Sequence, residues 1–385
     1  MNLEGVRILD CSRLLPGPYA TQLLADAGAD VIKVEDARLG DYARYTPPMT
    51  DDGVGRMFDS INRGKRSVAL DLKTEAGREA FYRLVETADV VFEQFRPGVA
   101  ARLGIDYESV REHNEGIVYC SLTGFGQSGP DSQRVGHDLN YVATAGLLDL
   151  TREDDESPPQ IPGYPIADMS GGLFSAYAIV GALLSRELGD GTGEYLDVSM
   201  TDVALTFSQP VVHEALDGES ARPGETALTG ELPWYDIYET ADGRYVTLAA
   251  LEPEFWETFC ETVDRPDLVD EHGLGAGENL EDVRRELKEL FASRTAAEWE
   301  DRLGEEETMF ARVHRLDETI ENPQIQARDI VVDPPEGRPR VASPVRHSDT
   351  DEAVPGHGEH TEAVLEAVGL SESRIEELRE AGAFG

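Results

Sequence analysis

The sequence predicts an α/β protein of two domains, and three observations carry that prediction. Short aliphatic runs alternate with amphipathic ones through the first 125 residues, the rhythm of strand–helix–strand units. A different pattern begins near residue 234, where two alternating runs flank an Asp-Gly turn. The chain also has 385 residues, a length at which one core usually gives way to two.

In chain order, V-R-I-L-D (6–10) reads as a buried strand and P-Y-A-T-Q-L-L-A-D-A-G (18–28) as a helix closed by glycine. D-V-I-K-V-E (30–35) and S-V-A-L-D-L (67–72) are further strands, followed by a helix from about Thr74 to Ala88. D-V-V-F-E (89–93) and I-V-Y-C-S-L (117–122) continue the series. Such runs imply a parallel sheet covered by helices on both faces. Ligands bind such sheets at the carboxyl ends of the strands, so the loops after Asp10, Glu35, Glu93 and Leu122 are the first places to look. The first of these loops reads L-L-P-G-P-Y; it has no G-x-G-x-x-G fingerprint, and a Walker A motif is also missing, which argues against a dinucleotide site.

Residues 168–188 are apolar nearly all round and read as a buried helix with small residues in its first turn. E-Y-L-D-V-S-M (194–200) is another strand. After a Gly- and Pro-bearing connection (217–233), W-Y-D-I-Y-E-T and R-Y-V-T-L-A-A around A-D-G form a hairpin. Helices to about Asn322 complete a smaller domain, 323–356 reads as a long connection, and 371–382 as an amphipathic helix with a serine cap.

A hydrophobic fraction of 40% marks a globular chain. No apolar run approaches the ~20 residues of a membrane span. The segment M-N-L-E-G-V-R-I-L-D lacks the marks of a signal peptide, so a cytoplasmic location is expected. Cys11, Cys120 and Cys260 are widely spaced, which favours buried thiols over a disulfide framework or a zinc site. The net charge is −42, from 76 acidic against 34 basic residues, and the acid is spread along the chain. Such a surface repels nucleic acid and anionic membranes. It suits a high-salt interior, where ions screen the self-repulsion. Stability should then fall on dialysis into low salt, and a melting temperature indifferent to salt would remove the halophilic reading.

Four residues could carry chemistry. His137, in V-G-H-D-L-N-Y, follows the glycine-punctuated loop T-G-F-G-Q-S-G-P and could be a surface residue, a structural one or a base. Asp138 beside it could cap a nearby helix. Asp168 opens the apolar helix just before Gly171 and Gly172; it could be an N-cap, or a carboxylate at the end of a pocket where the small residues leave room for substrate. Glu252, before Pro253, reads first as a helix start. Basic residues are scarce. Arg38, N-R-G-K-R-S (62–67) and R-P-G (96–98) all lie at sheet-edge loops, where they suit a bound anion such as phosphate or else pair with the many carboxylates.

Several of these stretches resemble the family III CoA-transferases, the CaiB/BaiF superfamily, in order and nearly end to end. They are L-L-P-G-P-Y-A-T-Q-L-L-A-D-A-G-A-D-V-I-K-V-E, F-R-P-G-V-A-A-R-L-G, S-L-T-G-F-G-Q-S-G-P and G-E-H-T-E-A-V-L. Within the superfamily, G-H-D-L-N-Y, A-D-M-S-G-G and A-A-L-E-P-E-F resemble the α-methylacyl-CoA racemase branch. The resemblance implies a large Rossmann-like CoA-binding domain (1–200 with 335–385) and a small α+β domain (225–325), joined by connections at 201–224 and 326–334. It also implies an interlocked homodimer. Coenzyme A enters as the carrier of an acyl-CoA thioester substrate, with no permanently bound cofactor and no metal.

On that resemblance His137 and Asp168 match the two proton-transfer residues of the racemase, with Asp138 and Glu252 as the carboxylates beside them. Arg38 and Arg96 match positions that contact CoA phosphates and the adenine end, with Lys65 or Arg66 as further contributors. Two opposed groups could then invert the α-carbon of a 2-methylacyl-CoA through an enolate. Deprotonation of the α-carbon by imidazole to that enolate is uphill by on the order of 14 kcal/mol or more, so oxyanion donors are required, and the amides at the start of the Asp168 helix are a natural source. In the true CoA-transferases of the family an aspartate matching Asp168 instead attacks the acyl-CoA and passes through an aspartyl-CoA thioester. Those enzymes generally lack a histidine at the position of His137. A non-catalytic acyl-CoA-binding protein would leave His137 and Glu252 without a role.

Overall fold

The structure, a computed structural model, describes residues 2–218, 224, 226–273, 279–333, 338–345 and 353–385. The 217–233 and 323–356 connections therefore lie partly outside the described residues. The chain divides into two compact units, one of residues 1–146, 162–207 and 328–385, the other of 147–161 and 208–327.

The larger unit is built on six strands: β1 (Arg7–Asp10), β2 (Asp30–Asp36), β3 (Arg66–Leu70), β4 (Val90–Glu93), β5 (Val118–Thr123) and β6 (Tyr195–Ser199). They pair in the order β3-β2-β1-β4-β5-β6, every neighbour parallel. This is the doubly wound order, whose direction of winding reverses between β1 and β4 and opens a crevice there. β4 and β5 are buried along their whole length, so that even their polar residues Glu93, Ser121 and Thr123 are enclosed.

Around the sheet lie α1 (Pro16–Asp26), α2 (Arg56–Ile61), α3 (Glu75–Val85), α4 (Val99–Leu103), α5 (Tyr107–Arg111), α6 (Asp138–Thr144), α7 (Ile166–Leu188) and α8 (Met200–Thr206). Thr74 caps α3 by accepting the Gly77 amide at 2.9 Å, and Ala80, Phe81, Leu84 and Val85 carry its apolar face into the core.

Helix α7 is longer and more lopsided than the sequence suggests. It has 23 residues, and an 18-residue stretch of it with a mean hydropathy of 1.4 meets the length and composition of a membrane span, contrary to the expectation of no such run. Its inner side packs on α1, β5 and α8, while Leu173, Phe174, Tyr177, Leu184 and Leu188 are exposed. The expected all-round burial fails on that outer side. Gly171 and Gly172 do not open room for a substrate either. A β-carbon on Gly172 would sit 2.5 Å from the Pro16 carbonyl oxygen, and one on Gly171 2.6 Å from Met200 Cγ. The pair exists so that helices can touch.

The smaller unit holds an antiparallel sheet of β7 (Tyr235–Glu239), β8 (Tyr245–Ala249) and β9 (Phe310–Arg312) in that order. The β7–β8 hairpin turns through Asp242-Gly243, with Gly243 at φ +69°. Helices α9 (Val212–Leu216), α10 (Pro253–Thr262), α11 (Leu280–Phe291), α12 (Ala296–Leu303), α13 (Leu316–Glu321) and α14 (Pro323–Ala327) complete it. Trp234, Trp256, Phe259, Phe291 and Trp299 form its core.

The chain then returns to the larger unit through a two-stranded ribbon, β10 (Val331–Val332) with β11 (Arg340–Val341), and ends in α15 (Thr361–Ala367) and α16 (Glu372–Glu380). Ser371 caps α16 through the Arg374 amide, as the sequence predicts. Val364, Leu365, Ile375, Leu378 and Phe384 from these last helices join Leu9, Ile32, Val68 and Val91 in one core.

Candidate active site

The loops after β1, β4 and β5, three of the four singled out from the sequence, border one cavity of about 410 Å³ at the carboxyl edge of the sheet. Each loop is fixed by buried polar groups.

After β1, the Asp10 carboxylate accepts the Ser12 amide at 2.9 Å and Thr21 Oγ1 at 2.6 Å, and pairs with Lys65 at 3.2 Å. Burial would raise the pKa of this carboxyl, but Lys33 and Lys65 outweigh burial and hold it well below the usual range. Next to it, Lys33 Nζ sits 3.0 Å from Asp41 Oδ2 and donates to the Ser12 carbonyl at 3.0 Å. Asp41 in turn accepts the Leu14 amide at 3.0 Å. Leu14 has φ +66°, a bend that leucine rarely takes. Arg13, Leu14, Leu15 and Pro16 line the cavity from this loop.

After β4, Glu93 is buried with no cation beside it among the described residues. Its carboxyl accepts the Phe95 amide at 2.6 Å and the Ser121 hydroxyl, which in turn accepts from Tyr195 at 3.2 Å. Burial pushes it up to about 7, with Asp197 adding to the rise. The Gly17 amide donates to Gln94 Oε1 at 3.1 Å, tying this loop to the start of α1. Gln94, Phe95, Arg96 and Pro97 face the cavity.

After β5, the glycines serve Tyr141. A β-carbon on Gly124 would lie 2.2 Å from the Tyr141 ring and one on Gly136 2.8 Å from it, while the Tyr141 hydroxyl donates to the Gly136 carbonyl at 2.5 Å. This packing delivers His137 to the cavity as the residue that starts α6, its amide held by Asn140 Oδ1 at 3.0 Å and its imidazole exposed.

Asp138 caps a neighbouring helix: its Oδ1 accepts the Asp168 amide at 3.0 Å at the start of α7. Asp168 itself sits in the first turn of α7 behind Pro165 rather than at the cap, which frees its carboxyl for the cavity wall. Burial pushes that carboxyl up to about 7, and the Asp138 charge adds to the rise. The oxyanion donors expected here are partly spoken for, since the Asp168 amide goes to Asp138 and the Met169 amide to the Pro165 carbonyl at 3.0 Å.

Of the basic candidates, Arg96 lines the cavity. Arg38 is exposed in the loop after β2, its amide on Asp36 Oδ1 at 3.0 Å. Two members of the N-R-G-K-R-S cluster, Lys65 and Arg66, are used internally. Lys65 is 2% exposed and spends its ammonium on Asp10, Pro18, Thr21 and Asn62. Burial, only partly offset by Asp10, brings Lys65 down to about 8. Arg66 grips Asp30 at the start of β2 at 2.6 Å. Neither is placed for a CoA phosphate. Glu252 starts α10 in the smaller unit, exposed, with Pro253 at the first helical position as predicted.

Among the lining residues not singled out from sequence are Arg13, Gln94 and Arg134. Arg13, a basic residue directly after the first strand of so acidic a chain, carried a readable signal; Gln94 carried none. A larger cavity of about 980 Å³, between α1, α2 and residues 338–344, is lined by Arg63 of the N-R-G-K-R-S cluster but by neither His137 nor Asp168. Among the described residues, no group of three or more His, Cys, Asp or Glu could hold a metal.

A half-buried carboxyl poised near neutrality on the wall of a sheet-edge crevice, with arginines on the rim, suits acyl chemistry on an anionic carrier. Comparison with known proteins places the chain accordingly. The model of CoA-transferase family III matches residues 3–361, and the chain belongs to that family. It is 36% identical, over 97% of its own length and 98% of the other's, to succinyl-CoA:mesaconate CoA-transferase of Haloarcula hispanica. To the human alpha-methylacyl-CoA racemase it is 30% identical, over 98% and 96% respectively. Among solved structures, a CaiB/BaiF family protein from Brucella suis superimposes with a TM-score of 0.81 at 31% identity, covering 95% of this chain and 99% of that one. The family expectation and the fold stand; the preference for the racemase branch does not gain the same support, because the transferase is the nearer of the two relatives.

Proposed function

We propose that the protein is a CoA-transferase that moves CoA from an acyl-CoA to a free carboxylic acid through Asp168. One observation carries the reading. The Asp168 carboxyl lies on the cavity wall, desolvated and, among the described residues, without a cation, so its ionised form is less stabilised and more nucleophilic than an exposed carboxylate.

Its oxygen attacks the thioester carbonyl carbon, and the CoA thiolate leaves, giving a mixed anhydride. The thiolate then attacks the Asp168 carbonyl and releases the donor acid as a carboxylate, leaving an aspartyl-CoA thioester. The acceptor carboxylate repeats the sequence in reverse and regenerates Asp168. Thioester replaces thioester, so no energy source is needed. Arg96 and Arg38 would hold the phosphates of CoA. The acyl group of choice is a short dicarboxylate, which the Haloarcula relative's name supports and to which a cavity rim of Arg13, Arg96 and Arg134 is suited. The exposed apolar side of α7 suits burial against a second copy in a homodimer.

The test is incubation with succinyl-CoA and mesaconate. CoA appearing on mesaconate, with a hydroxylamine-sensitive enzyme intermediate that Asp168→Ala abolishes, is the expected result, with a loss on the order of 10³-fold or more. No transfer to any C4 or C5 dicarboxylate would sink the reading. His137 and Asp168 on one cavity favour a second reading, racemisation of a 2-methylacyl-CoA. Deuterium entering the α-carbon from labelled water without an acceptor, and lost in His137→Ala, would select it.

A further inference from the structure

We propose that Asp41 is a positioning residue for acyl-CoA binding. Its carboxylate, neutralised by Lys33, clamps the loop after β1 in the left-handed bend that brings Arg13 and Leu14 to the cavity. The assignment rests on the acyl-CoA reading of that cavity.

In nucleotide-binding folds of this winding order, glycines let the loop after the first strand bend closely around its ligand. Here the bend falls on leucine. Leu14 sits at φ +66°, where its β-carbon meets the backbone, and such a conformation persists only if its surroundings enforce it. The enforcing groups come from β2 and the loop beyond it. The Leu14 amide donates to both oxygens of Asp41, at 3.0 and 3.2 Å. Two residues earlier, the Ser12 carbonyl accepts from Lys33 Nζ at 3.0 Å. Lys33 and Asp41 are themselves paired at 3.0 Å, with side chains 0% and 1% exposed. One buried ion pair thus grips the loop on either side of Arg13.

The same aspartate also shapes what Arg13 rests on. Asp41 Oδ1 accepts the Ala43 amide at 2.9 Å and so starts the short turn Tyr42–Tyr45. The Arg13 guanidinium lies 4.9 Å from the centre of the Tyr42 ring. Among the described residues Arg13 forms no ion pair with a carboxylate, although the chain carries 76 acidic residues. An exposed arginine held over an aromatic face on a cavity wall is set out for an anionic ligand. The aspartate needs its charge for this, since it balances Lys33 while accepting three contacts from the loop and turn.

The experiment measures CoA binding by calorimetry in an Asp168→Asn background, together with acyl-CoA turnover in the otherwise intact chain. Asp41→Asn should raise the Kd for CoA, and the KM for the acyl-CoA donor, by about tenfold, with kcat changed far less. Asp30→Asn serves as the control: it removes the partner of Arg7 and Arg66 at the start of β2 and should lower the melting temperature without moving KM. Leu14→Ala and Leu14→Gly decide the matter even if Asp41→Asn fails to fold. Both delete the leucine contacts, but only glycine frees the bend, so Leu14→Gly should bind CoA several-fold more weakly than Leu14→Ala. Equal binding by the two, or an Asp41→Asn protein with the parent's Kd, overturns the assignment while leaving transfer chemistry intact. A parent that binds no CoA overturns the acyl-CoA reading, and this assignment with it.

Discussion

Two sets of carboxyls are buried along the carboxyl edge of the same sheet, and they behave in opposite ways. At β1 and β2, Asp10 and Glu35 meet Lys33, Lys65 and Arg44. Burial alone would raise the pKa of Glu35, yet the Arg44 hydrogen bonds, with Lys33 behind them, bring it down to about 2. At β4 and the start of α7, the buried Glu93 and the half-buried Asp168 sit beside other acids instead, and both are pushed up to about 7. Similar strands thus hold charge in one place and make it costly a few ångströms along. The difference teaches which end of the edge is frame and which is chemistry. A neutralised carboxylate is inert and holds a loop, whereas an uncompensated one sits near its titration point, ready to attack or to exchange a proton.

The comparison can be broken most severely at Asp10. Asp10→Asn should cost on the order of 3–5 kcal/mol in urea unfolding, because two buried ammoniums lose their shared anion. A cost below about 1 kcal/mol would mean that the cations do not depend on it.

Asp168→Asn should do the reverse. The folded-state pKa of Asp168 lies above its unfolded value, so the native state binds the extra proton and stability declines as pH climbs from about 4 towards 7, with the full penalty present above 7. The variant should therefore gain about 2 kcal/mol at pH 8, after discounting for partial exposure, and nothing at pH 4. Because only the ionised form attacks, kcat/KM of the intact enzyme should rise about tenfold per pH unit below 7 and level off above it. A flat profile across that window would remove Asp168 as nucleophile. Asp10 has the opposite sign: its contribution is present above the ordinary carboxyl range and is lost as pH falls through it.

The smallest effect sharpens the picture at Glu93. Its carboxyl accepts one amide and one hydroxyl, a pattern that an amide side chain can reproduce by donating to Ser121. Glu93→Gln should stabilise by about 1 kcal/mol at pH 8 and be neutral at pH 5. Destabilisation at both pH values would show that the charge itself is needed there.

Much of this architecture was legible from periodicity. The six strands of the large sheet, the Asp-Gly hairpin and the serine cap of α16 are local patterns, and they fold where the pattern puts them. His137 and Asp168 were legible as a pair only through the family resemblance; the cavity they share depends on β5, α6 and α7 meeting. What was illegible depended on distant partners. Lys65 and Arg66 looked like anion ligands because their counter-charges, Asp10 and Asp30, lie 55 and 36 residues away in sequence. Gly171 and Gly172 looked like room for a substrate because the Pro16 carbonyl and the Met200 side chain that fill that space belong to other elements. Glu93 could have been noticed, as an ionisable residue closing the otherwise apolar strand Val90–Glu93.

The last thirty residues carry a consequence for how the molecule is made. Gly358 and His360 donate their amides to Ser67 on β3, the Asp71 amide donates to the Ala383 carbonyl, and Phe384 lies in the same core as Leu9. Emerging from the ribosome, the first sheet must wait for the whole intervening unit, some 120 residues with their own tryptophan core, before its outer strand is covered. The piece synthesised in the middle can finish folding first, and the piece synthesised earliest finishes last.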